Sequence, residues 1–152
     1  MNQGTILIVD DNEDVLFALN LLLKPHFRKV KVSTTPDRIA QFMESDDPDV
    51  ILLDMNFSRD ASSGQEGMEV LHDILRRDAE AVVVMMTAYS DMSKAINAIK
   101  AGATDFVAKP WENEKLIATL TAAAKLRQAR REKASLQKQM EGMAESSVPP
   151  II

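Results

Sequence analysis

Five short apolar runs set out the predicted framework of the chain. The first, third and fourth lack polar alternation, and continuous runs of Val, Ile and Leu are typical of strands buried on both faces of a parallel sheet. The second and fifth are shorter and more polar, which indicates edge strands. In chain order the runs are Thr5–Val9, Val30–Val32, Val50–Leu53, Ala81–Met86 and Phe106–Val107.

Helical spacing fills the gaps between these runs, because apolar residues recur there at intervals of three and four. Thr35 followed by Pro36 predicts a capped helix start, and Gly102 predicts a helix end. The predicted helical segments are Val15–Lys24, Ile39–Met43, Met68–Leu75, Met92–Ile99 and a long fifth segment from about Trp111-Glu112 past Met140. A strand followed by a helix, repeated five times, predicts an α/β doubly wound parallel sheet.

Polar residues stand where the predicted strands end. The first predicted strand ends in Asp10-Asp11, the third in Asp54, the fourth in Thr87 and the fifth in Lys109-Pro110. In doubly wound folds the ligand binds outside the carboxyl ends of the strands. The sequence therefore predicts that three carboxylates, one hydroxyl and one ammonium group share one edge of the sheet.

These residue types match the needs of phosphoryl transfer onto a carboxylate. Three adjacent carboxylates repel each other, and a hard divalent cation such as Mg²⁺ relieves that repulsion through oxygen ligands. Asp54 could act as the nucleophile, while Lys109 and Thr87 contact phosphoryl oxygens. Taken singly, each residue also fits an ordinary capping turn or strand end. Their joint occurrence at four strand ends favours a site.

Composition narrows the class of protein. The chain has 152 residues, no cysteine and a formal net charge of −5. The absence of cysteine excludes disulfides and thiolate chemistry, and the acidic balance argues against a general nucleic-acid binder. The longest strongly apolar run, Ala81–Met86, is far shorter than a membrane helix, and the N-terminus lacks signal-peptide features. We therefore expect a cytoplasmic protein without membrane contact.

Four motifs resemble the receiver domain of two-component response regulators, over about residues 4–125. The motifs are Ile8–Asp11 (IVDD), Leu52–Asp54 (LLD), Met86–Ala88 (MTA) and Gly102–Pro110 (GATDFVAKP). The resemblance implies a flavodoxin-like (CheY-like) five-stranded parallel sheet in the order 2-1-3-4-5. It also implies a phosphorylation-dependent signalling module rather than an enzyme, with Mg²⁺ as cofactor and a sensor histidine kinase as partner.

The same resemblance assigns roles to the pocket residues. By that resemblance Asp54 is the phosphoacceptor, Asp11 the direct Mg²⁺ ligand and Asp10 its helper through water. Asn56 would offer its backbone carbonyl to the metal. Asp54 itself completes the metal ligands.

The resemblance also assigns the residues that respond to phosphorylation. Thr87 stands in the place of the switch hydroxyl, and Phe106 in that of the switch aromatic residue. Lys109 would bind the phosphoryl group, and its bond to Pro110 is expected to be cis.

The chain departs from the usual receiver pattern after the phosphoacceptor. Receivers commonly carry Met-Pro three and four residues after it and Gly eight residues after it. Here those positions hold Phe57, Ser58 and Ser62, and the matching glycine is Gly67. The segment 57–66 is thus expected to contain an insertion of about five residues beside the site.

A basic segment with heptad spacing lies near the C-terminus. Lys125–Lys138 contains six basic residues and one acid, which argues for a basic helix face. Apolar positions alternate steps of four and three with one charged interruption, which predicts a coiled coil and a homodimer, with the basic residues on its flanks. The seam is Ala122, Leu126, Ala129, Lys133, Leu136, Met140 and Met143. We predict a receiver over 1–125, a linker or coiled-coil helix over 126–143 and a flexible tail over 144–152.

The class of regulator is predicted from a second resemblance. Ala88-Tyr89-Ser90, Lys109-Pro110-Trp111 and the long fifth helix resemble receivers of the NtrC class, which precede an AAA+ ATPase and a DNA-binding domain. That resemblance implies control of transcription, with DNA contacted only through domains outside these residues.

Three alternatives stay open. The chain could be a stand-alone CheY-like signalling protein. An aspartyl-phosphate phosphatase of the haloacid dehalogenase type would need a second carboxylate two residues after the nucleophile, where Asn56 stands. A flavin carrier would need a phosphate-binding loop after the first strand, where this chain has a run rich in carboxylates, Asp10–Asp14.

Overall fold

Five parallel strands form one sheet at the centre of the molecule. The computed structural model describes residues 4–55, 65–88 and 91–147, with side chains described over 4–55, 67–88 and 91–141. The sheet has the order β2-β1-β3-β4-β5, so the predicted flavodoxin-like order 2-1-3-4-5 and the two predicted edge strands are confirmed. The strands are β1 (Thr5–Val9), β2 (Lys29–Ser33), β3 (Val50–Asp54), β4 (Val83–Ala88) and β5 (Asp105–Lys109).

Five α-helices connect and cover the strands. Thr35 and Pro36 begin a helical segment as predicted, but its first turn, Pro36–Arg38, is a 3-10 helix. Gly102 has a φ of 116° directly after the fourth helix, which confirms its predicted place at a helix end. The α-helices are α1 (Glu13–Leu23), α2 (Ile39–Ser45), α3 (Gln65–Arg77), α4 (Met92–Lys100) and α5 (Asn113–Ser147).

The continuous apolar runs are explained by a core on each face of the sheet. Alternate residues of β1 point to opposite faces: Ile6 and Ile8 pack with α1 and α5, while Leu7 and Val9 pack with α2, α3 and α4. All of β3 is buried in the same two-sided way. A strand covered on both faces has no solvent side, and polar alternation is therefore absent.

The strand ends agree with the prediction to within one residue. Asp54 and Lys109 are the last residues of β3 and β5, as predicted. Thr87, predicted as the last residue of the fourth strand, pairs with Ala108 and is followed by one more residue of β4. The ladder continues through Thr87, since the backbone pairs whatever the side chain carries.

The fifth helix is much longer than the body that it covers. Its first half buries Leu116, Leu120, Ala123 and Ala124 against the sheet, whereas residues 132–141 are all exposed. The predicted extension past Met140 is confirmed, and the helix ends at Ser147. Residues 144–147, predicted as part of a flexible tail, are thus helical. A proline disfavours the helix only from the residue before it, which is 148 here.

None of the helices described in the structure is both long and apolar enough to cross a membrane. The long helix α5 is rich in charged residues.

Candidate functional site

The turn between β1 and α1 holds the first pair of carboxylates. Asn12 caps α1, its side-chain oxygen accepting hydrogen bonds from the backbone N–H groups of Asp14 at 2.9 Å and Val15 at 3.3 Å. The backbone N–H of Asn12 in turn donates to Oδ1 of Asp10 at 2.9 Å. Asp10 is therefore held in place by the turn itself and is buried, whereas the next residue, Asp11, is exposed to solvent.

Three carboxylates converge at the carboxyl edge of the sheet, as predicted. Asp10, Asp11 and Asp54 each offer one oxygen atom, and these atoms lie within 4.8 Å of one another. Asp10 and Asp54 are buried, whereas Asp11 is exposed. We call these three residues, together with Lys109, the acidic pocket.

Lys109 supplies the cation of the acidic pocket. Its Nζ atom donates to Oδ2 of Asp10 at 2.9 Å and lies 3.4 Å from Oδ1 of Asp54. Burial acts to lower the pKa of Lys109, but the hydrogen bond to Asp10 and the charges of Asp54 and Asp10 outweigh it. The pKa of Lys109 is consequently raised, and the ammonium group stays charged at neutral pH.

Thr87 brings a hydroxyl group to the strand next to Asp54. Asp54 pairs with Met86 across β3 and β4, which places Thr87 one residue further along the same edge. The Oγ1 atom of Thr87 is buried and has no hydrogen-bond partner among the described residues. A buried hydroxyl is costly to leave unpaired, so this atom is suited to an incoming oxygen ligand.

Another predicted site residue, Phe106, stands apart from the acidic pocket. Phe106 is half-buried and packs against the core cluster formed with α2, α3 and α4. Asn56 and the predicted insertion from Phe57 up to residue 64 lie outside the described residues. The peptide bond between Lys109 and Pro110 is cis, as predicted.

Sequence reasoning missed one close approach beside β3. A Cβ atom on Gly67, near the start of α3, would lie 2.5 Å from the backbone oxygen of Met55, the residue after Asp54. Only a glycine lets α3 start in direct contact with this backbone. The predicted shift of the receiver glycine to Gly67 was the available signal.

The donor set of the acidic pocket fits a hard divalent cation. Carboxylate oxygens at this mutual spacing are the ligands that Mg²⁺ takes, and the exposed Asp11 leaves room for the waters that Mg²⁺ retains. A phosphoryl group at Asp54 would meet the ammonium group of Lys109 and the hydroxyl of Thr87.

Comparison with known proteins decides the family. The profile of the response regulator receiver domain matches residues 6–121. The chain belongs to the response regulator receiver family. Receivers are signalling modules of two-component systems and are not catalysts in themselves. They bind Mg²⁺ at an acidic pocket, and this receiver has a cluster of aspartates that could hold the ion.

Longer regulators contain a receiver similar to this one. A putative NtrX-like response regulator of Rickettsia bellii (strain RML369-C) is 28% identical over 131 residues, covering 86% of this chain and 27% of that protein. The DNA-binding transcriptional regulator NtrC of Escherichia coli (strain K12) is 27% identical over 123 residues, covering 81% of this chain and 25% of NtrC. The receiver thus spans about a quarter of the length of these curated relatives. Their class is consistent with the predicted NtrC-class receiver.

Solved structures agree with this assignment. The N-terminal signal receiver domain of a two-component response regulator from Bacteroides fragilis is 48% identical, with a TM-score of 0.73, over 80% of this chain and 96% of that chain. NtrX from Brucella abortus, in complex with ADP, is 25% identical with a TM-score of 0.77, over 90% of this chain and 30% of that chain.

Proposed function

We propose that this receiver accepts a phosphoryl group on Asp54 from a sensor histidine kinase. The observation that carries the proposal is the placement of Lys109, whose ammonium group lies between the buried carboxylates of Asp10 and Asp54. A cation held at this position by two aspartates is within reach of a dianionic phosphoryl group on Asp54. The neighbouring Asp11 supplies a further carboxylate for a metal ion.

In the proposed transfer, an oxygen of Asp54 attacks phosphorus as the bond from phosphorus to the kinase histidine nitrogen breaks. Mg²⁺ bound by Asp10, Asp11, Asp54 and the backbone carbonyl of Asn56 would neutralise phosphoryl oxygens. By the family resemblance, Asp11 would be the direct ligand and Asp10 would act through water; Oδ1 of Asp10 already accepts the backbone N–H of Asn12.

Lys109 and Thr87 then bind the new phosphoryl group on Asp54. Lys109 turns from the aspartates to a phosphoryl oxygen, and the hydroxyl of Thr87 donates to another. Thr87 would act as the switch hydroxyl and Phe106 as the switch aromatic residue, as the family resemblance implies. These roles make Thr87 and Phe106 the residues that report phosphorylation to the surface.

The output in this proposal is transcription, exerted through a homodimer. Relatives of the NtrC class support a transcriptional role for the longer protein, and DNA contact would fall to domains outside these residues. Residues 126–143 would link the receiver (1–125) to them. The apolar positions Leu126, Leu136 and Met140 are exposed by 37%, 52% and 67%, which suits pairing with a second copy of the helix.

Phosphorylation of Asp54 is tested by intact-mass spectrometry after incubation with acetyl phosphate and Mg²⁺. The unmodified chain is expected to gain one phosphoryl group, and this gain should vanish when Mg²⁺ is chelated. Asp54→Asn should gain none, while the control Asp37→Asn, an exposed aspartate away from the acidic pocket, should label like the parent. Equal labelling of Asp54→Asn and the parent would refute the assignment.

A further inference from the structure

Three arginines of α5 bind the edge of the sheet opposite the acidic pocket. Arg127, Arg130 and Arg131 lie beyond the helical segment that packs on the core. Their partners lie in the turns that precede β3 and β4, where the strands begin. The basic residues of this helix are thus not all flanks of a coiled coil, because three of them bind their own domain.

Arg127 is the most buried of the three arginines, with a relative exposure of 8%. Its Nη2 atom donates to Oδ2 of Asp78 at 2.6 Å and to Oδ1 of Asp47 at 3.4 Å. Asp47 precedes β3 and Asp78 follows α3, so a single guanidinium group joins α5 to two separate turns of the body.

Arg131, one helical turn further on, repeats the arrangement. It forms an ion pair with the buried Asp49, and its Nη2 atom donates to the backbone oxygens of Asp47 at 2.8 Å and Pro48 at 3.3 Å. The other carboxylate oxygen of Asp49 accepts a hydrogen bond from the backbone N–H of Thr5 at 2.8 Å. One carboxylate therefore ties the start of β1 to the end of the docked part of α5.

We name Arg127 and Arg131 with their partners Asp47, Asp49 and Asp78 the arginine clamp. Past it, residues 132–141 are all exposed, so the clamp is the last attachment between α5 and the body in the part of the helix whose side chains are described. The helix continues for 16 residues beyond Arg131, to Ser147, a length of about 24 Å at 1.5 Å per residue.

The clamp also fixes which face of the helix is presented to solvent. At about 100° per residue, Arg127 and Arg131 project about 140° and 180° around the axis from Met140. Leu126 and Leu136 lie on the same side as Met140, and we call these three residues the apolar row. The apolar row therefore points away from the body for as long as the ion pairs of the clamp are formed.

We propose that the arginine clamp fixes the direction of the free half of α5, so that receiver and helix move as one rigid arm with the apolar row turned outward. Without it, Arg130 still binds Glu80; when Arg130 is removed as well, α5 is held by its apolar packing as far as Ala124 and can bend beyond that point. A bend of about 20° at Ala124 moves Gln139, about 22 Å further along the helix, by about 8 Å. Pairing of the outward row with a second copy of the chain rests on the proposed function. The rigidity of the arm does not depend on that function.

The clamp rests on charge rather than on apolar packing. Asp47 and Asp78 carry side-chain exposures of 63% and 33%, and the Nε atoms of both clamp arginines are buried without a hydrogen-bond partner among the described residues. Such pairs contribute direction more than stability, because desolvation offsets much of their attraction. Breaking the clamp is thus expected to free the arm while the body stays folded.

The arm is tested by distances between two spin labels. The chain has no cysteine, so His72→Cys on the exposed face of α3 and Gln139→Cys on the free half of α5 provide unique attachment sites. Double electron–electron resonance is measured on the full chain, unphosphorylated and without Mg²⁺, and diluted with unlabelled chain so that only distances within one molecule count. The parent is expected to give one narrow distribution.

Two clamp variants and one control decide the outcome. Arg127→Met with Arg131→Met, and the same pair with Arg130→Met added to remove its bond to Glu80, should both widen the distribution, the triple variant by about 8 Å. Lys125→Met with Lys133→Met and Lys138→Met removes the same charge as the triple variant from exposed positions of the same helix and should keep the parent width. Parent width in both clamp variants, with helix content retained by circular dichroism, would overturn the proposal. Because no phosphate is involved, a failure of Asp54 to label leaves this result unaffected.

Discussion

At the scale of single residues, the three carboxylates of the acidic pocket are not equivalent. Both oxygens of Asp10 accept hydrogen bonds, one from the backbone of Asn12 and one from Lys109, and the side chain is buried. Asp11 is exposed at the mouth of the same pocket. The difference between two adjacent aspartates comes from the capping turn, which points the first inward and the second outward.

Removing these two carboxylates should therefore affect Mg²⁺ unequally. Asp11→Ala is expected to abolish binding, whereas Asp10→Ala should weaken it by about tenfold, as loss of an outer-shell partner does. Calorimetric titration of Mg²⁺ into each variant measures both. Asp14→Ala, which removes an exposed carboxylate on the same turn, serves as the control and should bind like the parent. The opposite ranking of the two variants would contradict the ligand roles.

Replacing Thr87 offers a second test, which compares the stability of the unphosphorylated receiver with its ability to be phosphorylated. Thr87→Val removes a buried hydroxyl that lacks a partner among the described residues, so the unphosphorylated receiver should gain about 1–3 kcal/mol of unfolding free energy. Chemical denaturation measures the gain.

Thr121→Val is the matched control, because its hydroxyl donates to the backbone oxygen of Ala118 and no gain is expected. Thr87→Val should still label with acetyl phosphate. A loss of stability in Thr87→Val would contradict an unpaired hydroxyl.

The pocket could be predicted residue by residue because its members stand at strand ends. Once the strand order is known, Asp10, Asp54 and Lys109 must meet at one edge. The unpaired state of Thr87 and the contact of Gly67 with Met55 could not be predicted in this way. Both depend on distances of a few tenths of an ångström, which residue spacing does not contain.

At the scale of elements, α5 carries two opposite faces with different partners. Its first half is docked by Leu116 and Leu120, and its arginines continue that inner face onto the strand starts. Its outer face carries Leu126, Leu136 and Met140 in the open. Each apolar side chain of this row contributes about 1.5–3 kcal/mol on full burial, against an association cost of about 4–15 kcal/mol. Pairing through the row should therefore be weak and sensitive to the receiver.

Charge on the outer row should dissociate the proposed dimer. Leu136→Glu with Met140→Glu is expected to raise the dimer dissociation constant by more than about tenfold, which corresponds to about 1.4 kcal/mol. Sedimentation at several concentrations, with and without beryllofluoride as phosphoryl mimic, measures it.

The control, Ala134→Glu with Ser135→Glu, adds the same charge to exposed positions away from the row and should change little. A parent chain that stays monomeric at the highest concentration in both states would contradict the dimer.

The elements themselves were largely predictable, but the attachments between them were not. Helical spacing predicted that α5 runs past Met140, and the apolar runs predicted all five strands. The heptad spacing of the apolar positions predicted that the arginines flank a coiled coil. Their partners lie 49 to 84 residues away in the chain, and no local pattern links such positions.

At the scale of the whole molecule, the acidic pocket and the arginine clamp occupy opposite ends of the same parallel strands. The pocket gathers Asp10, Asp54 and Lys109 where β1, β3 and β5 end, and the clamp gathers Asp47, Asp49 and Asp78 before β3 and β4 begin. Each end brings acidic side chains together and balances them with basic ones. Charges concentrated in this way keep both faces of the sheet free for apolar packing.

The shared carboxylate of Asp49 has a consequence for where the folded unit stops. Because Asp49 holds both the N–H of Thr5 and the guanidinium of Arg131, the first strand and the last docked turn of the chain secure each other. A receiver shortened to residues 1–125, the boundary predicted from the sequence, would lose Arg131. The buried carboxylate of Asp49 would then keep the backbone N–H of Thr5 but lose its ion pair. A chain of residues 1–132 keeps the arginine. Thermal unfolding should place the shorter chain below the longer one by about 1–3 kcal/mol in unfolding free energy. Equal stability would mean that the receiver ends before its clamp.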